Sequence, residues 1–136
     1  MEMTINNLKL YYPDYKKTIC LDFDGTISHW LWPNTGEIQL GAIEAINKLK
    51  QLGFKIVISS CRTNSEINFG RTKEQVKVMK NYLNEHKILF DRVDDGKSGK
   101  PIADFYVDDR SLEFCPERGK NWDYIYNRIK SEEEKR

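Results

Sequence analysis

The run Thr18-Ile19-Cys20-Leu21-Asp22-Phe23-Asp24-Gly25-Thr26 constrains this chain more than any other stretch. It begins uncharged and mostly apolar, then closes on two carboxylates one residue apart. An uninterrupted apolar strand is buried on both faces, which is the environment of a parallel sheet. Thr18–Phe23 is therefore expected as a first strand, with a loop from Asp24 to Gln39. Leu40–Leu52 sets Ile43, Ile46, Leu49 and Leu52 at helical spacing and leaves Gly53 where a glycine cap belongs. Phe54–Ser60 reads as a second strand and Arg62–Gly70 as a polar loop. Arg71–Lys87 is a second helix through Val76, Met79 and Leu83, followed by a short strand at Ile88–Phe90. After a polar loop, Asp91–Lys100, comes a strand at Ile102–Val107. A last helix spans Asn121–Lys130 with Trp122, Ile125, Tyr126 and Ile129, and SEEEKR is expected as a solvated, frayed tail. The alternation predicts an α/β layered fold with right-handed crossovers.

The 136 residues suit one domain over 1–136. Apolar residues at 39% supply a core and exclude a disordered chain. The formal charge of 22 − 21 = +1 gives no strong field toward nucleic acid or an anionic membrane. MEMTINNLKL lacks the apolar core of a signal peptide and no run approaches a membrane span, so a soluble cytoplasmic protein is expected. Cys20, Cys61 and Cys115 lack the close pairing of a zinc or redox motif, and read as incidental thiols in a reducing compartment. Neither these features nor the motifs below indicate an oligomeric state.

Ligands of open α/β sheets gather beyond the carboxyl ends of the strands. Strand one ends there in Asp22 and Asp24, strand two in Ser59-Ser60-Cys61-Arg62, and the later strand in Asp108-Asp109. Residues two apart on an extended chain point the same way, ~6.6 Å apart at ~3.3 Å per residue. Asp22 and Asp24 can thus flank one small group. With Asp108 and Asp109 added, the crevice holds more negative charge than neutral pH tolerates without a cation or retained protons. Oxygen-preferring Mg²⁺ answers this, and a phosphate would complete its shell. Ser60 could donate to that phosphate and Lys100 supply positive charge, while Gly25 lets the backbone pass close. Either acid pair alone would be an ordinary polar turn. Several strand ends bearing such groups together point to a site.

These residues resemble the haloacid dehalogenase-like superfamily of phosphohydrolases. Asp22-Phe23-Asp24-Gly25-Thr26 matches its first motif, D-x-D-G-T. Ser60 resembles the residue closing the second motif, Lys100 the third-motif lysine and Asp108-Asp109 the acidic fourth. The resemblance implies a Rossmann-like three-layer α/β sandwich with a mostly parallel central sheet. It also implies a Mg²⁺-dependent phosphomonoesterase with Asp22 as nucleophile and Asp24 as general acid and base. Mg²⁺ would be held by Asp22, the Asp24 carbonyl, Asp108 and Asp109. Gly25, Thr26, Ser60, Arg62 and Lys100 would meet the substrate. Lys97 rivals Lys100, since Lys100 is almost on top of the following strand, and Ser59 rivals Ser60.

The gaps after the first and second motifs are too short for a cap domain, so the small capless type is expected. Its partner would be a phosphorylated small molecule or nucleotide. Trp30 and Trp32, in the flap Ile27–Gln39, either stack on a base or pack the flap onto the body. His29 reads as a flap surface residue, and Arg62 as a phosphate contact or a structural ion pair. One alternative is a polynucleotide-end phosphatase, which the near-zero net charge opposes. Another is a non-catalytic, receiver-like phospho-acceptor module, in which a phosphoaspartate would be long-lived.

Overall fold

The structure, a computed structural model, describes residues 14–135. The amino-terminal stretch expected to lack a signal peptide lies outside the described residues, apart from the end of the leader. Four strands form one all-parallel sheet: β1 (Thr18–Leu21), β2 (Lys55–Ile58), β3 (Arg92–Val93) and β4 (Phe105–Val107), in the order β3-β2-β1-β4. Helices α1 (Ala42–Gln51), α2 (Ser65–Asn68), α3 (Thr72–Glu85) and α4 (Trp122–Glu134) flank it. This is the expected Rossmann-like α/β arrangement, and no cap domain stands among the described residues.

The central strands β1 and β2 pair in register from Thr18↔Lys55 to Leu21↔Ile58. Their apolar runs bury as the sequence predicts, with Ile19, Leu21, Ile56 and Ile58 on the face that meets the helices. Ile46 of α1 and Met79, Tyr82 and Leu83 of α3 close the core over Phe23. Tyr82 stands edge-on to Phe23 at 5.3 Å between ring centroids, a favourable aromatic arrangement.

Several boundaries differ from the sequence expectation. The third strand is Arg92–Val93 rather than Ile88–Phe90, because Ile88 is spent on the core just past α3 and the chain first pairs with β2 at Val57↔Arg92. The loop after β2 contains a 3₁₀ turn at Cys61–Thr63 and the single-turn helix α2, which Asn64 caps by accepting from the Glu66 and Ile67 amides. The tail is helical to Glu134 rather than frayed from Ser131. Leu52 caps the end of α1 and is exposed, and only Ile125 of the apolar stripe on α4 is buried.

Candidate active site

The carboxyl edge of the sheet opens into a cleft lined by Asp22, Asp24, Ser60, Lys97, Lys100 and Asp108, among others. Strand pairing sets the first and fourth motifs side by side: β1 pairs β4 through Leu21↔Val107, and the Asp22 amide donates to the Val107 carbonyl at 3.0 Å. Carboxylate oxygens of Asp22, Asp108 and Asp109 consequently lie within 4.8 Å of one another. Gly25 permits this contact. Its φ is +84°, and a Cβ there would stand 2.1 Å from Asp109 Oδ2. The glycine therefore makes room for a neighbouring acid rather than for a ligand.

Burial pushes Asp22 up to about 6; its hydrogen bond with the Phe23 amide opposes the rise, and the nearby Asp108, Asp109 and Asp24 add to it. Asp109 is raised as well, by burial and then by its contact with Asp108. Among the described residues no lysine or arginine forms an ion pair with Asp22 or Asp108, and Asp109 has only a 3.9 Å contact with Arg110. Three close carboxylates without a matching cation form a hard, all-oxygen donor set, which fits Mg²⁺ better than a softer metal.

Asp24 is handled differently. Its carboxylate is buried and accepts from Arg62 Nε at 2.9 Å and Arg62 Nη2 at 2.8 Å. Its side chain thus stands apart from the three-acid cluster, leaving its backbone carbonyl as the group that could join a cation there. Arg62 is 0% exposed and does not line the cleft, so of the two sequence readings the ion pair describes the geometry. Gly25 and Thr26 do not line the cleft either, and Thr26 Oγ1 is buried without a hydrogen-bond partner among the described residues.

Ser60 Oγ accepts from the Arg62 amide at 3.1 Å, which leaves its own proton available to an acceptor in the cleft. Ser59 also lines the cleft. The Lys100 ammonium rests 3.9 Å above the Tyr106 ring. Trp30, 55% exposed, stands at the mouth with the Arg110 guanidinium 4.7 Å from its ring centroid. The flap is a small hairpin: His29 donates to Glu37 at 2.7 Å, Gln39 donates to Ile27 at 2.8 Å, and the Gly36 carbonyl accepts from Tyr82 at 2.9 Å.

Two participants are absent from the sequence reading. Gln75 on α3 accepts from Arg62, a partnership that no local pattern signals. Asp94, buried at the end of β3, accepts from Arg92 and from the Gly96 amide. Asp94-Asp95 repeats the pattern of an acid pair closing a strand, and becomes legible once the strand is placed at Arg92–Val93.

A parallel α/β sheet whose carboxyl edge gathers Asp22, Asp108 and Asp109 into a donor set suited to a hard cation defines the class. The haloacid dehalogenase-like hydrolase family matches residues 19–135, and the chain belongs to that family. A conserved protein of Bacteroides thetaiotaomicron is similar in structure at 23% identity and a TM-score of 0.56, over 87% of this chain and 93% of that one. A protein from Vibrio cholerae is similar at 27% identity and a TM-score of 0.51, over 85% of this chain and 98% of that one. No curated protein matches the chain. No described helix is long and apolar enough to cross a membrane.

Proposed function

We propose that the protein is a Mg²⁺-dependent phosphomonoesterase that works through an aspartyl-phosphate on Asp22. The observation that carries this is a half-buried Asp22, unpaired by any described cation and grouped with Asp108 and Asp109 at the mouth of β1 and β4. Asp22, Asp108, Asp109 and the Asp24 carbonyl would hold the ion, whose charge would offset the acids and the phosphoryl oxygens. With Asp24 carrying the proton it is to donate, an Asp22 oxygen attacks phosphorus, the ester P–O bond breaks, and its electron pair leaves with the alkoxide, which takes that proton. Asp24 then accepts a proton from the water that cleaves the acyl phosphate, releasing inorganic phosphate and restoring Asp22. Ser60 and Lys100, or Lys97 in its place, bind the non-bridging oxygens, so that catalysis is largely positioning.

The open cleft supports a phosphorylated small molecule or nucleotide as substrate. Trp30, exposed beside Arg110, favours a base-bearing one and keeps a polynucleotide end as the second reading. The test is a hydrolysis screen over sugar phosphates, nucleotides and 3′- or 5′-phosphorylated oligonucleotides, with and without Mg²⁺. Turnover that needs Mg²⁺ and disappears in Asp22→Asn is expected. Unchanged turnover in that variant would overturn the assignment. A steep loss with salt confined to oligonucleotides would favour the second reading.

A further inference from the structure

The geometry points to Arg62 as a positioning residue that locks the Asp24 carboxylate and the flap into one arrangement, a role that rests on the reaction proposed above. A guanidinium has five N–H donors in a fixed plane. In Arg62 all five are used. Nε and Nη2 donate to the two Asp24 oxygens, Nη2 also donates to the Asn34 carbonyl at 2.7 Å, and Nη1 donates to the Pro33 carbonyl at 3.0 Å and to Gln75 Oε1. No donor remains for a phosphate. The side chain is wholly buried, with its guanidinium 5.3 Å from the Phe23 ring centroid. Its backbone is held too, since its amide donates to Ser60 Oγ and its carbonyl accepts from Asn68 Nδ2 at 2.6 Å.

The partners come from three separate segments: the end of β1, the flap and α3. Two of the five bonds reach flap carbonyls, so lifting the flap strips a buried cation of acceptors and disturbs the carboxylate it orients. Each Asp24 oxygen accepts one bond from Arg62 and retains a second lone pair, where the proton to be delivered would sit. Asp24 also lines the cleft. Arg62 therefore aims the acid without blocking it, and aims it only while the flap is down.

The test compares two leaving groups. Dinitrophenolate departs without a proton, whereas an alkoxide needs one, so loss of an aligned general acid shows on alkyl phosphates alone. Arg62→Lys keeps the charge and loses the fork. Its kcat is expected to fall about 100-fold on an alkyl phosphate and less than about 5-fold on dinitrophenyl phosphate, the scale of a general-acid contribution. KM and inhibition by inorganic phosphate stay within about 3-fold of the wild type. Gln75→Ala, which removes one acceptor, shifts the same ratio in the same direction by about 5-fold and carries the test if Arg62→Lys does not fold. Equal losses on both substrates would overturn the assignment, as would raised KM with weakened phosphate inhibition at unchanged kcat.

If the wild type hydrolyses neither ester, the reaction reading fails. The clamp is then judged by amide exchange at His29 and Gln39, which should quicken in Arg62→Lys relative to β1 and β2. Flap exchange that stays unchanged, or rises equally everywhere, would overturn it.

Discussion

The acidic pocket at the mouth of β1 and β4 and the clamp beneath the flap draw on the same D-x-D segment and treat its two acids in opposite ways. In the pocket Asp22, Asp108 and Asp109 crowd within 4.8 Å, no described cation pairs with Asp22, and burial raises it to about 6. In the clamp Asp24 gives both oxygens to Arg62, whose remaining donors are also used. A buried charge survives by being paired. The clamp's cation belongs to the chain and keeps a carboxylate in place, whereas among the described residues no cation forms an ion pair with Asp22 or Asp108 of the pocket.

The difference is broken most sharply by one substitution made at both acids. Asp24→Asn removes the anion and leaves Arg62 buried with its charge unmatched, so a loss of about 3–5 kcal/mol in denaturant unfolding is expected. Asp22→Asn removes a destabilising charge and should not lower the unfolding midpoint at pH 7. If the two variants lose equal stability, the contrast between pocket and clamp is wrong.

Adding Mg²⁺ sharpens the pocket's side. Wild-type stability should grow with metal concentration, by about 2.7 kcal/mol at a hundred times the dissociation constant. Chelation should reverse the gain, and thermal unfolding of Asp108→Asn should respond to Mg²⁺ much less.

A pair of glycines tests how the pocket is assembled. Gly25 and Gly41 share a left-handed backbone, with φ of +84° and +81°, but only at Gly25 would a Cβ meet anything. Gly41→Ala should cost roughly 1 kcal/mol from backbone strain alone. Gly25→Ala should cost more, roughly 2–3 kcal/mol, and should weaken Mg²⁺ binding by displacing Asp109. Equal Mg²⁺ titrations of the two variants would show that Gly25 does not seat the acid.

The smallest expected effect is in pH. The native protein binds the Asp22 proton more tightly than the unfolded chain does. Stability from this group is therefore complete below the unfolded value near 3.8 and declines as pH rises to about 6. Solvent around a half-buried carboxylate screens the effect, so metal-free Asp22→Asn should exceed wild type by roughly 1–2 kcal/mol at pH 7 and match it at pH 4. Asp91 runs the other way, its carboxyl being lowered chiefly by Lys50 and the Ile56 amide against the opposing effect of burial. The comparison must accordingly be the difference between the two proteins. A difference independent of pH would remove Asp22 as its source.

The sequence by itself determined the strand and helix alternation, the burial of β1 and β2, and the acids waiting at the ends of β1 and β4. These follow from residue spacing along an extended or helical segment, which is local physics. Tertiary structure alone decided which charges are answered. Asp24 and Arg62 are 38 residues apart, and Gln75 joins them only because α3 packs beside the turn that carries Arg62. It also decided that Phe105-Tyr106-Val107, as apolar as β1, stays exposed at the edge of the order β3-β2-β1-β4, whereas β1 and β2 are buried at its centre. Burial and ion pairing depend on what topology brings alongside, and a neighbour in space leaves no periodic mark along the chain.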